Sequence, residues 1–396
     1  MGRIVDFELL RFQFRRDRPI GDCKSRFDQA AVIALRLIDD RGQEGLGFAQ
    51  LLRDPLASEE ALRTAFLNST WPEIEGETPI SLALRIDPPA DAGEGGTAPR
   101  IGDALQQAIW DLAAKSAGLP LWQLLGARRQ HLPAYASGLD FHLEDDGFVE
   151  LFAAASELGF KAFKIKVGHE RIERDLHRLD LLRGVVPTGS QIMLDPNEGW
   201  TLAEAQRNMD AIAAAGYRIL WLEDPIARDD VDGLRILRSR GDVLINSGEY
   251  LNATGKRRLL ERSAVDMLNV HGRISEVLHL GWFAAELGVA VTMGNTVLEV
   301  GLCAALALPT CHWVEYSFQN FEHLVDKPYA IHGGQLHAST ALGHGLSLSN
   351  AAFENYRTPE PRELIDLGDA PVQQRLLTRH AARQDNIDAR GAIFAR

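Results

Sequence analysis

The feature that most constrains this sequence is a series of short apolar runs between Lys161 and Tyr250, each ending in charged residues and separated from the next by a stretch of helical composition. The charged or amide residues at the ends of these runs are Lys164, Lys166, Asp195, Asn197, Glu223 and Glu249. Alternating strands and helices are typical of a parallel α/β fold, and a (β/α)8 TIM-type barrel brings the C-terminal ends of its strands to one mouth. The sequence therefore predicts a barrel with these side chains gathered at that mouth.

The two lysines belong to the run Phe163-Lys164-Ile165-Lys166-Val167. Because successive strand residues point to opposite faces, Lys164 and Lys166 share one face and the apolar side chains take the other. A solvated strand face is the alternative interpretation of such a pair. The carboxylates that follow favour a functional site instead.

Three acids come at nearly constant spacing, with 28 residues from Asp195 to Glu223 and 26 from Glu223 to Glu249. An acid at a strand end is frequently a helix cap or a salt-bridge partner. Here each acid occupies the same place in a repeating unit, and three converging carboxylates suit a hard divalent cation. We expect the positive charge of such an ion to push both lysines toward the neutral amine.

The composition excludes several classes of protein. The 396 residues are 45% hydrophobic, which suits a globular protein with a sizeable core, and the formal charge of −13 disfavours nucleic-acid and anionic membrane surfaces. The three cysteines, Cys23, Cys303 and Cys311, lack the spacing of a zinc site and are expected to be reduced thiols. No apolar run is long enough to cross a membrane, so we expect a cytoplasmic protein.

The N-terminal part precedes the predicted barrel and has a different pattern. Residues 1 to about 51 alternate as a strand meander, in which Arg15 to Asp22 is expected to form a polar loop. Residues 58 to 126 are helical in pattern, interrupted by a Gly- and Pro-rich loop over Asp87 to Pro99. We therefore expect an α+β cap over residues 1–128.

The series of charged strand ends, together with the stretch from Ile101 to Gly126, resembles the enolase superfamily and its mandelate racemase-like group. The resemblance implies a modified (β/α)8 barrel over residues 129–340 and a C-terminal segment, 341–396, that returns to pack on the cap and barrel. It also implies Mg²⁺, a small-molecule carboxylate substrate and a homo-oligomer, either a dimer or an octamer. The end of the chain, Arg383 to Gly391, is expected to be partly disordered.

The resemblance also assigns roles to residues. It implies that Asp195, Glu223 and Glu249 hold the metal, that Lys166 is the base, and that Lys164 lowers the proton affinity of Lys166 and pairs with the substrate carboxylate. Glu315 would donate to the developing enolate oxygen, with a salt bridge as its alternative. Asn197, Asn295 and Arg16 are the expected substrate contacts, Arg16 through a mobile cap loop, whereas Asp224 should face away. Gln50 stands where the family often has a glutamate, so a carboxylate is missing at this position.

The sixth and seventh strands of the predicted barrel, over residues 265–271 and 289–296, depart from the family pattern. His271 stands where racemase-like members have an aspartate and cycloisomerase-like members a lysine, and Gly294 or Asn295 stands where the former have a histidine. The His-Asp dyad is therefore missing, although His271 could serve as a substitute acid or base. Its alternative is a barrel histidine bonded to a neighbour.

The missing dyad decides between activities, because racemisation needs proton transfer on both faces of one carbon. Loss of a β-hydroxyl needs only one base and one acid. The sequence therefore favours dehydration of an acid sugar to a 2-keto-3-deoxy acid. An epimerase using Lys166 against His271 is the alternative enzyme, and a metal-binding protein without turnover is the alternative from another class.

Overall fold

The structure is a computed structural model that describes residues 2–51, 57–83, 85 and 101–361. The predicted loop over Asp87 to Pro99 and the predicted disorder over Arg383 to Gly391 lie outside the described residues. Among the described helices, none has the length and apolar character needed to cross a bilayer. The three cysteines are free thiols, two of them buried.

The N-terminal unit begins with an antiparallel sheet in the order β1-β2-β3. Its strands are β1 (Ile4–Gly21), β2 (Arg26–Asp39) and β3 (Glu44–Gln50). Its helices are α1 (Glu59–Ser69), α2 (Trp71–Ile74), α3 (Pro79–Ala83), α4 (Ile101–Ser116) and α5 (Leu121–Leu124). Helix α4 packs closely on β3 at Gly47. A Cβ atom at this position would lie only 1.9 Å from the carbonyl oxygen of Ala104, so a residue without a side chain is needed here. The predicted meander is present.

The predicted polar loop from Arg15 to Asp22 is wrong. Strand β1 continues to Gly21 with a shift of register between Arg15 and Ile20, and the turn lies further on, where Asp22 Oδ1 accepts from the backbone N–H of Lys24 and Ser25. Arg16 and Arg18 are buried rather than solvated. Local composition suggested a loop, but contacts with the barrel keep this segment extended.

The barrel is built from eight parallel strands of the described chain, and it closes because β11 pairs with β4. The strands are β4 (His131–Ser137), β5 (Ala162–Lys166), β6 (Gln191–Asp195), β7 (Trp221–Glu223), β8 (Leu244–Ser247), β9 (Met267–Val270), β10 (Ala290–Met293) and β11 (Cys311–Tyr316). The connecting helices are α6 (Asp145–Glu157), α7 (Ile172–Val185), α8 (Leu202–Ala214), α9 (Val231–Ser239), α10 (Ala253–Glu261), α11 (Ile274–Glu286) and α12 (Leu302–Ala307). The predicted barrel is confirmed.

The barrel is modified after its last strand. In place of an eighth helix, the described chain forms a hairpin of β12 (Ala330–His332) and β13 (Gln335–His337), and β13 pairs antiparallel with the start of β4. Inside the barrel, Tyr135, Met193, Trp221 and Met267 pack as a separate apolar cluster. Because strand residues alternate, the same strands can carry this apolar layer and a polar layer nearer their C-terminal ends.

The described part of the C-terminal segment returns to the N-terminal unit. The backbone N–H of Gly343 donates to the carbonyl of Leu119 at 3.0 Å, and that of His344 donates to Asp111 Oδ1 at 2.8 Å. The backbone N–H of Thr358 donates to the carbonyl of Arg11 at 2.9 Å. These bonds attach the segment to α4 and β1 and so hold the start of the cap in place.

Candidate active site

Strand β5 carries both lysines into the barrel. Lys164 and Lys166 are 1% and 4% exposed, and Lys166 lies opposite Asp195 in the parallel pairing of β5 with β6. The apolar neighbour Ile165 points to the other face and joins the main core. The alternation of the strand therefore places two ammonium groups in a buried position beside the first acid.

The three acids of the repeating unit meet at the C-terminal mouth. Asp195 and Glu223 end β6 and β7, and Glu249 lies two residues beyond β8. One carboxylate oxygen from each lies within 4.8 Å of the others. Asp224 is turned elsewhere, since its carboxylate accepts from the Ser247 hydroxyl and from the backbone N–H of Gly248 at 3.1 Å.

The lysines are bound to these acids and to a fourth. Lys164 Nζ donates to Glu223 Oε1 and lies 3.1 Å from Glu315 Oε1 and 3.4 Å from Asp195 Oδ2. Lys166 Nζ donates to Asp195 Oδ2 at 2.5 Å and to Asn197 Oδ1 at 2.7 Å. Glu315, from β11, thus lies beside the lysines and acids in an ion pair with Lys164, the alternative interpretation of this residue, and its role toward the enolate stays a prediction.

The pKa values show how these charges balance. Burial alone would lower the pKa of both lysines, but Glu223 and Glu315 raise that of Lys164 well above its usual value, and Asp195 raises that of Lys166. Burial raises the pKa of Glu223 to about 8 and that of Glu249 to about 7. The protein's own carboxylates, which outnumber the ammonium groups, thus favour the charged form of both lysines, and the lowering expected from a divalent ion stays a prediction.

The same imbalance tests whether a divalent cation fits. Four buried or partly buried carboxylates face two lysines, which leaves two negative formal charges in a site of low solvent access. Glu249 makes no hydrogen bond or ion pair with the described residues, so its oxygens are available as ligands. An all-oxygen donor set with this charge suits Mg²⁺. The residues present therefore fit the cation.

Three neutral donors around Glu223 were missed by the sequence reasoning. Trp221 Nε1 and Asn246 Nδ2 donate to Glu223 Oε2 at 3.1 and 3.0 Å, and Asn269 Nδ2 donates to Oε1 at 3.3 Å. Strand alternation could have found Trp221 and Asn246, which lie on the strand that carries the acid and on its neighbour β8, whereas Asn269 lies one strand further away, on β9. Their bonds fix the orientation of this carboxylate.

Asn197 connects the proposed base to a second residue that the sequence did not indicate. Its Oδ1 accepts from Lys166, its backbone N–H donates to Asp195 Oδ1 at 2.9 Å, and its Nδ2 donates to the Tyr250 hydroxyl at 2.8 Å. Asn197 has a positive φ of 47°, and this left-handed backbone conformation turns its side chain into the site. No periodicity could have predicted this geometry.

The other two expected substrate contacts are joined by Gln319. Asn295 donates its backbone N–H to Glu315 Oε2 at 3.0 Å, and its Oδ1 accepts from Gln319 Nε2 at 3.2 Å. Arg16 donates to the carbonyl oxygen of Gln319 at 3.1 Å and to its Oε1 at 3.3 Å. The cap strand β1 is thereby connected to Glu315 through two residues.

His271 follows directly after β9 and is partly buried. It lies two residues after Asn269, which contacts Glu223, so the strand ends at the same mouth as the acids. A separate cavity of about 600 Å³ opens at the other end of the barrel, beside Trp221, Asp266 and Trp313, and none of the lysines or triad acids lines it. The charged groups, rather than the size of a cavity, locate the site.

Comparison with known proteins agrees with this geometry. A family model described as "Enolase C-terminal domain-like" matches residues 148–352, which is more than half of the chain. The chain belongs to the enolase superfamily. Its similarity to solved structures extends this assignment to the mandelate racemase-like group.

Three relatives show how this superfamily member compares. A candidate mandelate racemase from Mesorhizobium loti is 49% identical with a TM-score of 0.88, over 94% of this chain and 99% of that one. L-Talarate dehydratase from Polaromonas sp. JS666, whose crystal structure holds Mg and L-glucarate, is 27% identical with a TM-score of 0.78, over 90% and 98% of the two chains. D-Galactarolactone cycloisomerase from Agrobacterium fabrum is 28% identical over 88% of this chain and 97% of its own length.

The curated relatives of this superfamily member therefore include dehydratases, cycloisomerases and epimerases. Two residues that follow β9 and β10, the sixth and seventh strands of the barrel, bear on the reaction. His271 follows β9, and Asn295, after β10, contributes a backbone donor to Glu315 instead of an imidazole. The reaction that follows proton removal must be inferred from these residues.

Proposed function

We propose that this protein removes the α-proton of a carboxylic acid with Lys166 and then eliminates a β-hydroxyl, converting an acid sugar into a 2-keto-3-deoxy acid. The observation that carries the proposal is the position of Lys166 Nζ, buried and held at 2.5 Å from Asp195 and 2.7 Å from Asn197, at the edge of the acidic triad. The first requirement of a general base is a fixed position within reach of the proton, and its pKa is the second. The two bonds hold this amine in one place.

Asp195, Glu223 and Glu249 would hold Mg²⁺, the ion present in the talarate dehydratase structure. When bound, the ion supplies positive charge that stabilises an enolate and offsets the carboxylates that raise the pKa values of the lysines. Trp221, Asn246 and Asn269 keep the Glu223 carboxylate in place for this role.

The chain's own residues divide the remaining work. Lys166 accepts the α-proton, and Lys164 places a second positive charge beside the substrate carboxylate. Glu315, held by Lys164 and by the backbone N–H of Asn295, lies where it can share a proton with the enolate oxygen. Because all these groups are buried, their charges act with little screening by water.

Elimination then needs an acid for the leaving hydroxyl, and we assign this role to His271. An imidazole titrates near neutrality, so it can donate a proton without a large change of pKa. The dehydratases among the relatives support this reaction class.

Epimerisation is the second candidate, because His271 at the mouth would supply a base for the face opposite Lys166, and epimerases are also among the relatives. A metal-binding protein without turnover is the third. The buried lysine pair argues against it, since two lysines beside a metal site cost stability and do not help to bind a cation.

The experiment is a screen of acid sugars with Mg²⁺ for 2-keto-3-deoxy products, together with exchange of the α-proton in deuterated water. Lys166→Ala should abolish both, whereas Lys161→Ala, an exposed lysine just before β5, should change neither. Exchange that persists in Lys166→Ala would place the base elsewhere. Exchange without elimination of any substrate, with interconversion of epimers, would favour the epimerase.

A further inference from the structure

Strand β1 carries two buried guanidinium groups to the boundary between the cap and the barrel mouth. Arg16 and Arg18 are two residues apart, and their side chains are nearly inaccessible, at 5% and 4% exposure. Arg15, between Phe14 and Arg16, is exposed. The arginines therefore face the barrel by the alternation of the strand, and they cannot be explained as solvated surface charges.

Every hydrogen bond that these two groups make is to a neutral acceptor. Arg16 donates to Gln319, as described above, and through Nε to the carbonyl of Gln29 at 3.3 Å. Arg18 donates to the carbonyls of Ser317 and Pro19 at 3.4 and 3.5 Å, and its buried Nε has no partner. Within the described residues, no carboxylate oxygen lies within 4.0 Å of either guanidinium.

Two adjacent buried guanidinium groups without an ion pair are costly, because Asp17 and, for Arg18, Asp140 offset only part of their charge and solvent hardly reaches them. Burial and the neighbouring Arg18 lower the pKa of Arg16 to about 9, and burial also lowers the pKa of Arg18. Their planar N–H groups match the geometry of a carboxylate. An anionic group bound between them would offset both charges and supply the missing acceptor.

The position of Arg16 and Arg18 near the residues of the candidate active site indicates which anion they bind. Ser317 and Gln319 directly follow β11, whose Glu315 is paired with Lys164, and Gln319 contacts Asn295. The arginines thus contact the segment that follows β11 at the barrel mouth. We propose that Arg16 and Arg18 bind a second carboxylate at the far end of the substrate, so that the preferred substrates are dicarboxylic acid sugars. This inference rests on the proposed function, which itself requires only one carboxylate.

The test compares acid sugars of identical stereochemistry that end in a carboxylate, a hydroxymethyl group or a phosphate, namely a hexarate, the matching hexonate and its 6-phosphate. For the Mg²⁺-loaded protein, we expect kcat/KM for the hexarate to exceed that for the hexonate by about 10- to 100-fold, the range for losing a charged hydrogen bond. Arg16→Gln and Arg18→Gln should each lower kcat/KM for the hexarate toward that for the hexonate and so remove this preference. Arg15→Gln, on the exposed face of the same strand, is the matched control and should keep it.

Calorimetric binding of the hexarate and the hexonate to the same proteins gives a second readout that does not need turnover. Equal affinity and equal kcat/KM for both sugars would overturn the inference, as would variants that weaken both sugars equally, because that pattern indicates a purely structural role. Preference for the 6-phosphate would overturn the carboxylate assignment. If no sugar exchanges its α-proton, the proposed function fails, yet selective hexarate binding that is lost in Arg16→Gln would still establish the anion site.

Discussion

Replacing Tyr250 with phenylalanine should impair the proposed base without removing any residue of the acidic triad. The Tyr250 hydroxyl accepts from Asn197 Nδ2 at 2.8 Å, and the same amide uses its Oδ1 to accept from Lys166 Nζ at 2.7 Å. Asn197 is 2% exposed, so an Nδ2 that loses its acceptor cannot turn to bulk water. If the amide rotated instead, it would direct its N–H groups at the Lys166 ammonium.

The magnitude follows from these contacts. A buried donor left without a partner costs about 1–3 kcal/mol. If about half of this cost, or about 0.5–1.5 kcal/mol, appears as misplacement of Lys166, α-proton exchange should slow by about 2- to 10-fold, since about 1.4 kcal/mol corresponds to a factor of ten. The remainder should appear as a modest fall in Tm.

The assay is the rate of α-proton exchange in deuterated water, measured by NMR, beside a thermal melt with and without Mg²⁺. Tyr217→Phe is the matched control, because the Tyr217 hydroxyl contacts Asp180 on the outer helix α7 and no residue of the barrel mouth. The rise in Tm on adding Mg²⁺ should be the same in Tyr250→Phe as in the unaltered protein. Exchange within twofold of the unaltered rate in a folded Tyr250→Phe protein would refute the positioning of Lys166 through Asn197.

Three further predictions concern the same site. Chelation should lower Tm, and Glu249→Gln should reduce the rise in Tm that Mg²⁺ causes. The control Glu261→Gln, at the end of α10, should leave this rise unchanged. An undiminished rise in Glu249→Gln would show that Glu249 does not bind the ion. The pKa values of Glu223 and Glu249 are raised to about 8 and about 7, so the unfolded chain releases these protons first, and the free energy of unfolding of the metal-free protein should fall as the pH rises from about 5 to 8. Urea titrations at several pH values in this window should show that the free energy of unfolding changes less with pH in Glu223→Gln than in the unaltered protein. An equal pH dependence of both proteins would contradict the raised pKa of Glu223. His271→Asn should retain α-proton exchange but lose elimination by roughly 10²–10⁴-fold, as expected for a general acid; retention of both would leave His271 as a bystander, and exchange of one substrate epimer only would indicate the epimerase.

The order of charged strand ends was sufficient to predict both the barrel and the meeting of its acids. A parallel barrel has one C-terminal mouth, so acids that end β6 and β7, or follow β8 closely, must converge whatever the intervening helices contain. The strand period of two likewise required Lys164 and Lys166 to share a face. Both results depend on regular backbone geometry, and such geometry can be inferred from sequence.

Features outside regular elements could not be predicted in this way. The segment around Arg16 has the composition of a loop, yet it is strand because its arginines are buried against residues some 300 positions later in the chain, such as Gln319. Gln319 itself lies between Phe318 and Asn320, which have positive φ angles of 50° and 71°. A backbone bent in this way directs a side chain where no periodicity indicates.

The sequence by itself thus determined the barrel, the acidic triad and the lysine pair, because each follows from the repeat of the strands. Only the tertiary structure decided which neutral groups orient Glu223 and Lys166, and which cap residues reach the mouth. It also decided how many carboxylates lie near each ammonium group, and these carboxylates raise the pKa values of both lysines. Spacing along the chain does not record these distances, since they arise only when separate strands and the cap pack together.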